Sequence, residues 1–164
     1  MPRTYRSQSV AVALASSPLV PSSRRRQVLK AAGVRSTAPS LIHRGVVVQG
    51  LGELTLGPGV FINYGCYFDT VADITVGARV FIADHVRVLT SSHELGTAEQ
   101  RASTLKSEPV EIGAGSWIGS GVVIMPGVTI GAGTVIAANS LVTSDCKPDS
   151  LYVGSPAKFR RELP

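Results

Sequence analysis

The sequence is poor in aromatic residues and cysteine, and it has no acidic residue in its first 45 positions. It holds one tryptophan, four tyrosines and four phenylalanines, against 17 glycines and ten prolines. That balance argues against a helical bundle and predicts a turn-rich β architecture. The two cysteines, Cys66 and Cys146, are too few for a disulfide framework or a cysteine metal motif. We expect them to be buried free thiols in a reducing cytoplasm.

The chain also lacks a long apolar run. Residues 10–20 are mildly apolar, but the stretch is too short for a membrane span, and the cations that follow it are in the wrong order for a signal peptide. Residues 1–45 hold eight of the 16 Arg and Lys residues, whereas the acids of the chain all lie in residues 46–164. The body is therefore not a basic nucleic-acid platform. We predict a cytoplasmic protein without membrane insertion or a nucleic-acid partner.

An aliphatic residue returns at every sixth position in the second half of the chain. The repeating positions are Ile112, Ile118, Ile124, Ile130, Ile136 and Val142. An earlier run, offset by two residues near Asp73, contains Leu56, Ile62, Phe68 and Ile74. A period of six fits neither an amphipathic helix nor an isolated hairpin strand. It fits an all-β solenoid of triangular coils, with one hexapeptide on each side and parallel pairing between stacked coils.

Two segments depart from this period. Residues 94–109 are polar and carry no aliphatic repeat, so we expect one loop that leaves the coils. Residues 22–33 fit a short helix, with Ser22 or Ser23 as its N-cap and Gly33 as its C-cap. The expected parts are a basic N-terminal segment with a short helix (1–44), a β-solenoid (45–157) and a basic C-terminal tail (158–164).

Four short motifs carry a family resemblance: residues 61–66 (FINYGC), 90–93 (TSSH), 117–119 (WIG) and 153–158 (VGSPAK). They resemble the maltose and galactoside O-acetyltransferase branch of the hexapeptide-repeat acyltransferases. The resemblance implies a left-handed parallel β-helix and a homotrimer with its sites between subunits. It also implies acetyl-coenzyme A as the acyl donor and a sugar-like hydroxyl as the acceptor, without a metal in the chemistry.

His93 is the expected general base of this reaction. A hydroxyl is a poor nucleophile toward a thioester, and an imidazole, which ordinarily titrates near neutral pH, can take its proton during attack. The family spacing implies that Asn63 binds the acceptor or orients the base, and that Trp117 lines the acceptor and the pantetheine arm. The simpler alternatives are a surface histidine, a satisfied corner amide and a tryptophan at a subunit contact.

Small corner residues and the basic tail are the expected coenzyme contacts. Matching to the family assigns Ser120, Ala138 and Thr143 to the coenzyme, and Lys158 and Arg161 to its phosphates. The repeat itself needs small corners, and charged tails are often only solvated, so a structural interpretation stands beside each assignment. Ser144 replaces a lysine that the family places nearby, which removes one contact.

The acid expected beside the acceptor is displaced in this chain. The family places a carboxylate one or two positions after Asp69, where Thr70 and Val71 stand. Asp69 is therefore expected either to take over the acceptor contact or to be an ordinary loop acid. This difference leaves the identity of the acceptor open.

Three other functions compete with O-acetyl transfer. An N-acetyltransferase that acts on an amino sugar can use the same base, and a non-catalytic β-helix scaffold needs no base. A zinc enzyme of the γ-carbonic anhydrase type needs three converging histidines, two of them closely spaced. His43, His85 and His93 are the three histidines of the chain, and their spacing does not match such a site.

Overall fold

The computed structural model describes residues 4–36 and 38–164. From Val34 onward the chain winds as a left-handed parallel β-helix of about 6 triangular coils. Each coil lays short strands on three flat faces, named A, B and C in the order in which the chain reaches them. The predicted fold is confirmed, and the coils start ahead of residue 45, the expected boundary.

The strands of each face pair in parallel, except for the last two strands of face B, which are antiparallel. Face A contains β1 (Val34–Ser36), β4 (Leu54–Leu56), β7 (Ile74–Val76), β12 (Val110–Ile112) and β15 (Thr129–Ile130). Face B contains β2 (Leu41–Ile42), β5 (Phe61–Ile62), β8 (Phe81–Ile82), β13 (Trp117–Ile118), β16 (Val135–Ile136), β18 (Ser150–Val153) and β19 (Lys158–Glu162). Face C contains β3 (Val47–Gln49), β6 (Tyr67–Asp69), β9 (Arg87–Val88), β14 (Val123–Ile124) and β17 (Leu141–Val142).

The hexapeptide repeat places one aliphatic side chain of each strand inside the coil. Ile62, Ile82, Ile118 and Ile136 stand in register on successive strands of face B, and all four are fully buried. Burying one such side chain stabilises the fold by roughly 1.5–3 kcal/mol. Each coil therefore buries its core against the coils above and below it.

The two-residue offset in the repeat has a structural cause. Leu54 pairs with Ile74, whereas Ile112 pairs with Ile130, so the early coils are two residues longer than the late ones. The additional residues lie at the corner where face C passes into face A, which we call the CA edge. The sixfold repeat changes phase there because the corner is enlarged while the faces are not.

The predicted excursion leaves the coils at the CA edge and is a β-hairpin. Its strands are β10 (Ser91–Leu95) and β11 (Ala102–Ser107), which pair antiparallel with His93 opposite Leu105. Apart from half-buried Ser91, every residue of the two strands is exposed. A hydrophobic pattern could not reveal these strands, because pairing and not burial forms them.

Helix α1 (Tyr5–Ser16) has no counterpart in the expectations from sequence. Its N-cap Thr4 and Ser7 exchange hydrogen bonds between side chain and backbone, which starts the helix. The buried side-chain amide of Gln8 fixes it to the coils, because it donates to the Gly50 carbonyl and accepts from the Gly50 N–H. The helix thereby covers the end of the solenoid core.

The predicted short helix is present as α2 (Ser22–Leu29), continued by a 3₁₀ turn. Gly33 ends that turn with a φ of +92°, as expected of a C-cap glycine. The expected N-cap is wrong: Pro21 occupies that position, and both Ser22 and Ser23 already lie in the first turn. Within the described residues, no helix is long and apolar enough to cross a membrane.

Candidate active site

Three of the predicted site residues lie at the BC edge, the corner where the chain passes from face B to face C. Asn63, Ser120 and Ala138 each follow a strand of face B by one or two residues, so the stacked coils place them in one line along the axis. The Tyr64 N–H donates to the amide oxygen of Asn63 at 2.9 Å. Ser120 Oγ donates to the Asp84 carbonyl at 3.3 Å. The edge thus offers small side chains and one amide.

Trp117 lies on the outer surface of face B, just before this edge. Its side chain is 53% exposed and stands in register with Phe81 and Val135 on the neighbouring strands. Phe81 in turn stacks on Phe61, with ring centroids 4.4 Å apart. Together with Leu41, these residues form an outward apolar stripe on face B.

His93 lies on β10 of the exposed hairpin. Its Nδ1 is 2.9 Å from the main-chain oxygen of Ser103, on the facing strand. A carbonyl oxygen can only accept, so Nδ1 carries the proton of the neutral ring and Nε2 has the lone pair. The pairing of the hairpin therefore selects the tautomer in which Nε2 can act as a base. The sequence did not predict a role for Ser103, because His93 bonds to its main-chain oxygen, and any residue type has that atom.

A cleft of about 310 Å³ opens beside His93, between the hairpin and the coils. Lys106 belongs to the hairpin wall, while Met125, Pro126 and Thr143 belong to the corners of two coils. Thr143 is the predicted coenzyme contact that shares this cleft with His93. Met125 and Pro126 gave no signal in the sequence, since the repeat places apolar and small residues at many corners for structural reasons alone.

Asp69 ends β6 and lies beneath the hairpin. It is only 7% exposed, and its Oδ2 accepts from the Ser91 N–H at 2.9 Å and from Ser91 Oγ at 2.5 Å. The Thr90 N–H also donates to this oxygen, at 3.3 Å. The carboxylate is thus engaged by the first residues of the excursion. Its expected contact with the acceptor stays a prediction, and the burial does not favour it.

The basic C-terminal residues form a strand. β19 pairs antiparallel with β18, with Lys158 opposite Val153 and Arg161 opposite Leu151, and all its residues are exposed. Because β18 stacks on β16 and ends at the BC edge, Lys158 lies at the end of the line that contains Ala138. Lys158 is therefore at the same edge as the predicted contacts to the pantetheine arm, whereas Arg161, opposite Leu151, lies on face B in line with Val135 and Trp117.

The predicted site residues fall into two groups on opposite edges of face C. Asn63 is at the BC edge and His93 is at the CA edge. One side of a coil separates the two edges, roughly 15 Å at about 3.3 Å for each strand residue. A single chain therefore does not bring His93 against Asn63 or Trp117.

Ser120 and Ala138 nevertheless stand at the same height along the solenoid as the cleft beside His93, whereas Asn63 lies two coils before Ser120. Met125, in the cleft beside His93, follows β14 in the coil that contains Ser120. Thr143 follows β17 in the coil that contains Ala138. If a second copy lay beside the first with its axis parallel, the BC-edge residues of one copy could thus lie opposite the CA-edge residues of the other.

The three histidines do not converge. His43 stacks on Tyr64 with centroids 4.4 Å apart, and His85 Nε2 lies 4.0 Å from the Asp84 carboxylate. Both occupy the BC edge, whereas His93 is on the hairpin. Across residues 4–36 and 38–164, no three side chains of the metal-binding types form a group. The described part of the chain therefore lacks a three-histidine zinc arrangement.

Cys66 and Cys146 are buried free thiols, as expected, and burial raises the pKa of each to about 11. A thiol with a raised pKa remains protonated at pH 8, where the thiolate is the reactive form. We expect neither cysteine of the folded protein to react within minutes with an aromatic disulfide reagent at that pH. The absorbance of the released thiolate measures this, and unfolding in guanidinium should expose both thiols. One rapid equivalent from the folded protein would contradict the prediction.

Comparison with known proteins gives matches to the repeat region. Residues 109–144 match the family described as bacterial transferase hexapeptide (six repeats). A Schizosaccharomyces pombe protein, whose assignment as an acetyltransferase is itself provisional, is 42% identical over 107 residues. The match covers 65% of this chain and 52% of that protein, so the chain spans about half the length of that relative.

Two solved structures share the fold over nearly the whole chain. A hexapeptide-repeat acetyltransferase from Vibrio cholerae O1 biovar eltor, complexed with acetyl-coenzyme A, is 30% identical with a TM-score of 0.89, covering 98% of this chain and 87% of that chain. A galactoside acetyltransferase in complex with coenzyme A is 26% identical with a TM-score of 0.88, covering 98% and 80% of the two chains. Because the identity to the Vibrio protein extends over most of both chains and includes the repeat, the chain belongs to the hexapeptide-repeat acetyltransferase family.

Proposed function

We propose that the protein transfers an acetyl group from acetyl-coenzyme A to a hydroxyl of a sugar or sugar-containing acceptor, with His93 as the general base. The observation that carries this proposal is the hydrogen bond of 2.9 Å between His93 Nδ1 and the Ser103 carbonyl. It leaves the Nε2 lone pair available in the neutral ring and holds the ring beside a cleft. An available lone pair and a fixed position are what a general base requires.

The reaction moves one proton twice. As the acceptor oxygen attacks the thioester carbonyl, the new C–O bond forms and His93 Nε2 takes the hydroxyl proton. The tetrahedral intermediate then collapses, the C–S bond breaks, and the imidazolium returns the proton to the departing coenzyme A sulfur. A main-chain N–H near Ser120 is the proposed donor to the oxyanion of the intermediate.

The coenzyme is proposed to lie along the BC edge. Ser120 and Ala138 are small, so a slender pantetheine arm can approach the backbone there, with the thioester end near Ser120. The line continues to Lys158, and Arg161 lies next to it on face B, so that the charges of both suit the phosphates. Thr143 belongs to the opposite edge and reaches the coenzyme only from a neighbouring subunit. The two buried free thiols support a reducing, cytoplasmic location for the protein.

The separation of His93 from Asn63 and Trp117 supports a homotrimer with its active sites between subunits. Three parallel prisms around one axis set the CA edge of each subunit against the BC edge of the next, which gives three equivalent grooves. The exposed apolar side chains of Phe81 and Trp117 offer surface that such a contact can bury. A groove is also needed because small-molecule sites are concave, whereas the solenoid faces are flat.

The acceptor is proposed to bind in this groove between His93 of one subunit and Asn63 and Trp117 of the next. The amide of Asn63 has both donors and an acceptor, which suits hydroxyl groups. The indole of Trp117 is a large apolar surface against which the C–H face of a sugar ring can pack. Asp69 is left out of this contact set, because its carboxylate is buried beneath the hairpin.

Replacing Lys158 or Arg161 by alanine is expected to weaken acetyl-coenzyme A binding about 10- to 100-fold, since a hydrogen bond to a charged group contributes about 1.5–3 kcal/mol. A residue that contacts the 3′-phosphate should lose this effect with dephospho-coenzyme A, whereas a pyrophosphate contact should weaken both ligands equally. Calorimetric titration with the two ligands measures the difference. Arg160→Ala removes the same charge from the same strand and is the control. Affinities equal to those of the control would contradict the assignment.

An acceptor screen tests the proposed function. The protein is incubated with acetyl-coenzyme A and a panel of sugars, glycosides and amino sugars, and the free coenzyme A thiol is followed. Hydroxylamine then distinguishes the products, because it cleaves an ester and leaves an amide intact. Ester formation supports the proposal, whereas amide formation alone favours N-acetyl transfer to an amino sugar. Failure to bind acetyl-coenzyme A in calorimetry would favour a non-catalytic scaffold.

A further inference from the structure

We propose that Asp69 is a positioning residue, whose buried carboxylate anchors the base of the hairpin and thereby sets where His93 stands relative to the coils. This inference rests on the proposed role of His93 as the general base. In this role Asp69 contacts the hairpin and does not contact the acceptor.

The anchor consists of three hydrogen bonds to one carboxylate oxygen. Asp69 Oδ2 accepts from the Ser91 N–H at 2.9 Å, from Ser91 Oγ at 2.5 Å and from the Thr90 N–H at 3.3 Å. Two more bonds close the corner: Thr90 Oγ1 donates to the Asp69 carbonyl at 2.7 Å and accepts from the Ala72 N–H at 2.9 Å. Hydrogen bonds to an ionised group are roughly twice as strong as neutral ones.

Beyond this corner the two strands of the hairpin bury little surface, although the Glu108 side chain at its returning end lies against Gly127. Every residue of β11, and every residue of β10 after Ser91, is exposed. The antiparallel pairing holds the two strands to each other but does not fix their direction relative to the solenoid. On the returning side, the Glu108 N–H donates to the Thr90 carbonyl at 2.9 Å, which is the same corner. We infer that the tilt of the hairpin depends mainly on the corner where Asp69 holds it.

The distance from the anchor to the base makes this tilt important. His93 lies two residues beyond Ser91, about 7 Å along the strand. Over that length, a tilt of about 8° displaces the imidazole by about 1 Å. A misplacement of about 1 Å can lower the rate of a reaction about 10²-fold. A carboxylate that fixes the tilt therefore affects turnover without touching the substrate.

The test compares Asp69→Asn, Asp69→Ala and Ser91→Ala with the matched control Asp73→Asn. Asp73 belongs to the same corner, but its Oδ1 accepts from the Glu53 N–H at 2.8 Å, on the side away from the hairpin. For each variant, kcat and the KM values for acetyl-coenzyme A and the acceptor are measured. A double variant that combines Asp69→Asn with Ser91→Ala measures the coupling between the two residues.

We expect kcat to fall about tenfold in Asp69→Asn and about 10²-fold in Asp69→Ala, with both KM values within about twofold of wild type. Ser91→Ala should have a smaller effect, because the Ser91 N–H still donates. The double variant should lose less than the product of the single losses, since both changes break one network. Hydrogen exchange of the hairpin amides should accelerate in Asp69→Ala and stay unchanged in Asp73→Asn, which should also retain kcat.

A raised KM for the acceptor with unchanged kcat would overturn the inference and make Asp69 a direct contact. Unchanged kinetics together with unchanged hairpin exchange would also overturn it. If Asp69→Ala does not fold, Asp69→Asn and Ser91→Ala decide, because both preserve the shape of the corner. His93→Ala separates the two proposals. If that variant retains turnover, the proposed function fails, whereas an inactive His93→Ala beside fully active Asp69 variants defeats the positioning role alone.

Discussion

Replacement of His93 by alanine is expected to lower turnover about 10²–10⁴-fold, which is the contribution of a general base. The loss should appear in kcat and not in stability, because the ring is exposed and its hydrogen bond is to the Ser103 carbonyl of the hairpin itself. The affinity for acetyl-coenzyme A should stay within about twofold, since the proposed coenzyme contacts lie on another edge. Steady-state kinetics and calorimetric titration measure the two quantities separately.

Two further variants make this result specific. His93→Gln should be as slow as His93→Ala, because an amide cannot take up a proton near neutral pH. Glu111→Ala is the control, since Glu111 is exposed on face A, which holds none of the proposed site residues. It should retain wild-type turnover. Near-normal turnover of His93→Ala would remove that residue from the mechanism.

A 1:1 mixture of His93→Ala and Trp117→Ala subunits, reassembled after dissociation, is expected to recover about a quarter of wild-type activity. The site is intact only where a Trp117→Ala subunit supplies His93 and a His93→Ala subunit supplies Trp117. Random assembly produces that order at about one interface in four. Each variant alone should be nearly inactive, so the recovery is a large effect that a change in stability cannot imitate.

The mixing experiment has its own controls. Native mass spectrometry of two differently tagged proteins shows whether the trimers exchange subunits. A mixture of His93→Ala with Asp69→Ala should recover nothing, because both residues belong to the CA edge and must come from the same subunit. If mixed trimers form and no activity returns, His93 and Trp117 do not serve one site from opposite subunits. A strictly monomeric protein that is active would defeat the shared site itself.

The solenoid could be predicted from sequence because its rule is local. A buried aliphatic residue at every sixth position specifies the strand, the corner and the next strand, as Ile118, Ile124 and Ile130 show. The first coil was not predicted, because Ser36 stands where the next coil has the aliphatic Leu56, and the enlarged corner shifts the phase of the repeat. Helix α1 was not predicted, because a polar residue, Gln8, attaches it to the coils and it has no strong apolar face.

For the candidate site, the sequence predicted individual residues but not the contacts between them. His93 and Thr143 could be named from motifs, but that they share a cleft depends on how the coils stack. The contact between Asp69 and Ser91 joins residues 22 positions apart, which are neighbours because the early coils are longer than three hexapeptides. A strict period of six would instead place Asp69 level with Arg87, so the repeat alone does not predict the contact between Asp69 and Ser91. The pairing of His93 with the Ser103 backbone likewise depends on the register of a hairpin, which a polar segment does not specify.

The hairpin turn is the part of the chain whose length no stacked neighbour constrains. A longer corner elsewhere in the solenoid must be matched by the corners on either side, as the enlarged CA corners of successive early coils are. The excursion avoids this requirement, because β7 and β12 pair in register across it while residues 96–101 lie outside the coils. Insertions at such an exposed turn are well tolerated. Proteins with this scaffold can therefore lengthen or shorten the hairpin wall beside His93, and so change the size of the cleft, without any change in the solenoid.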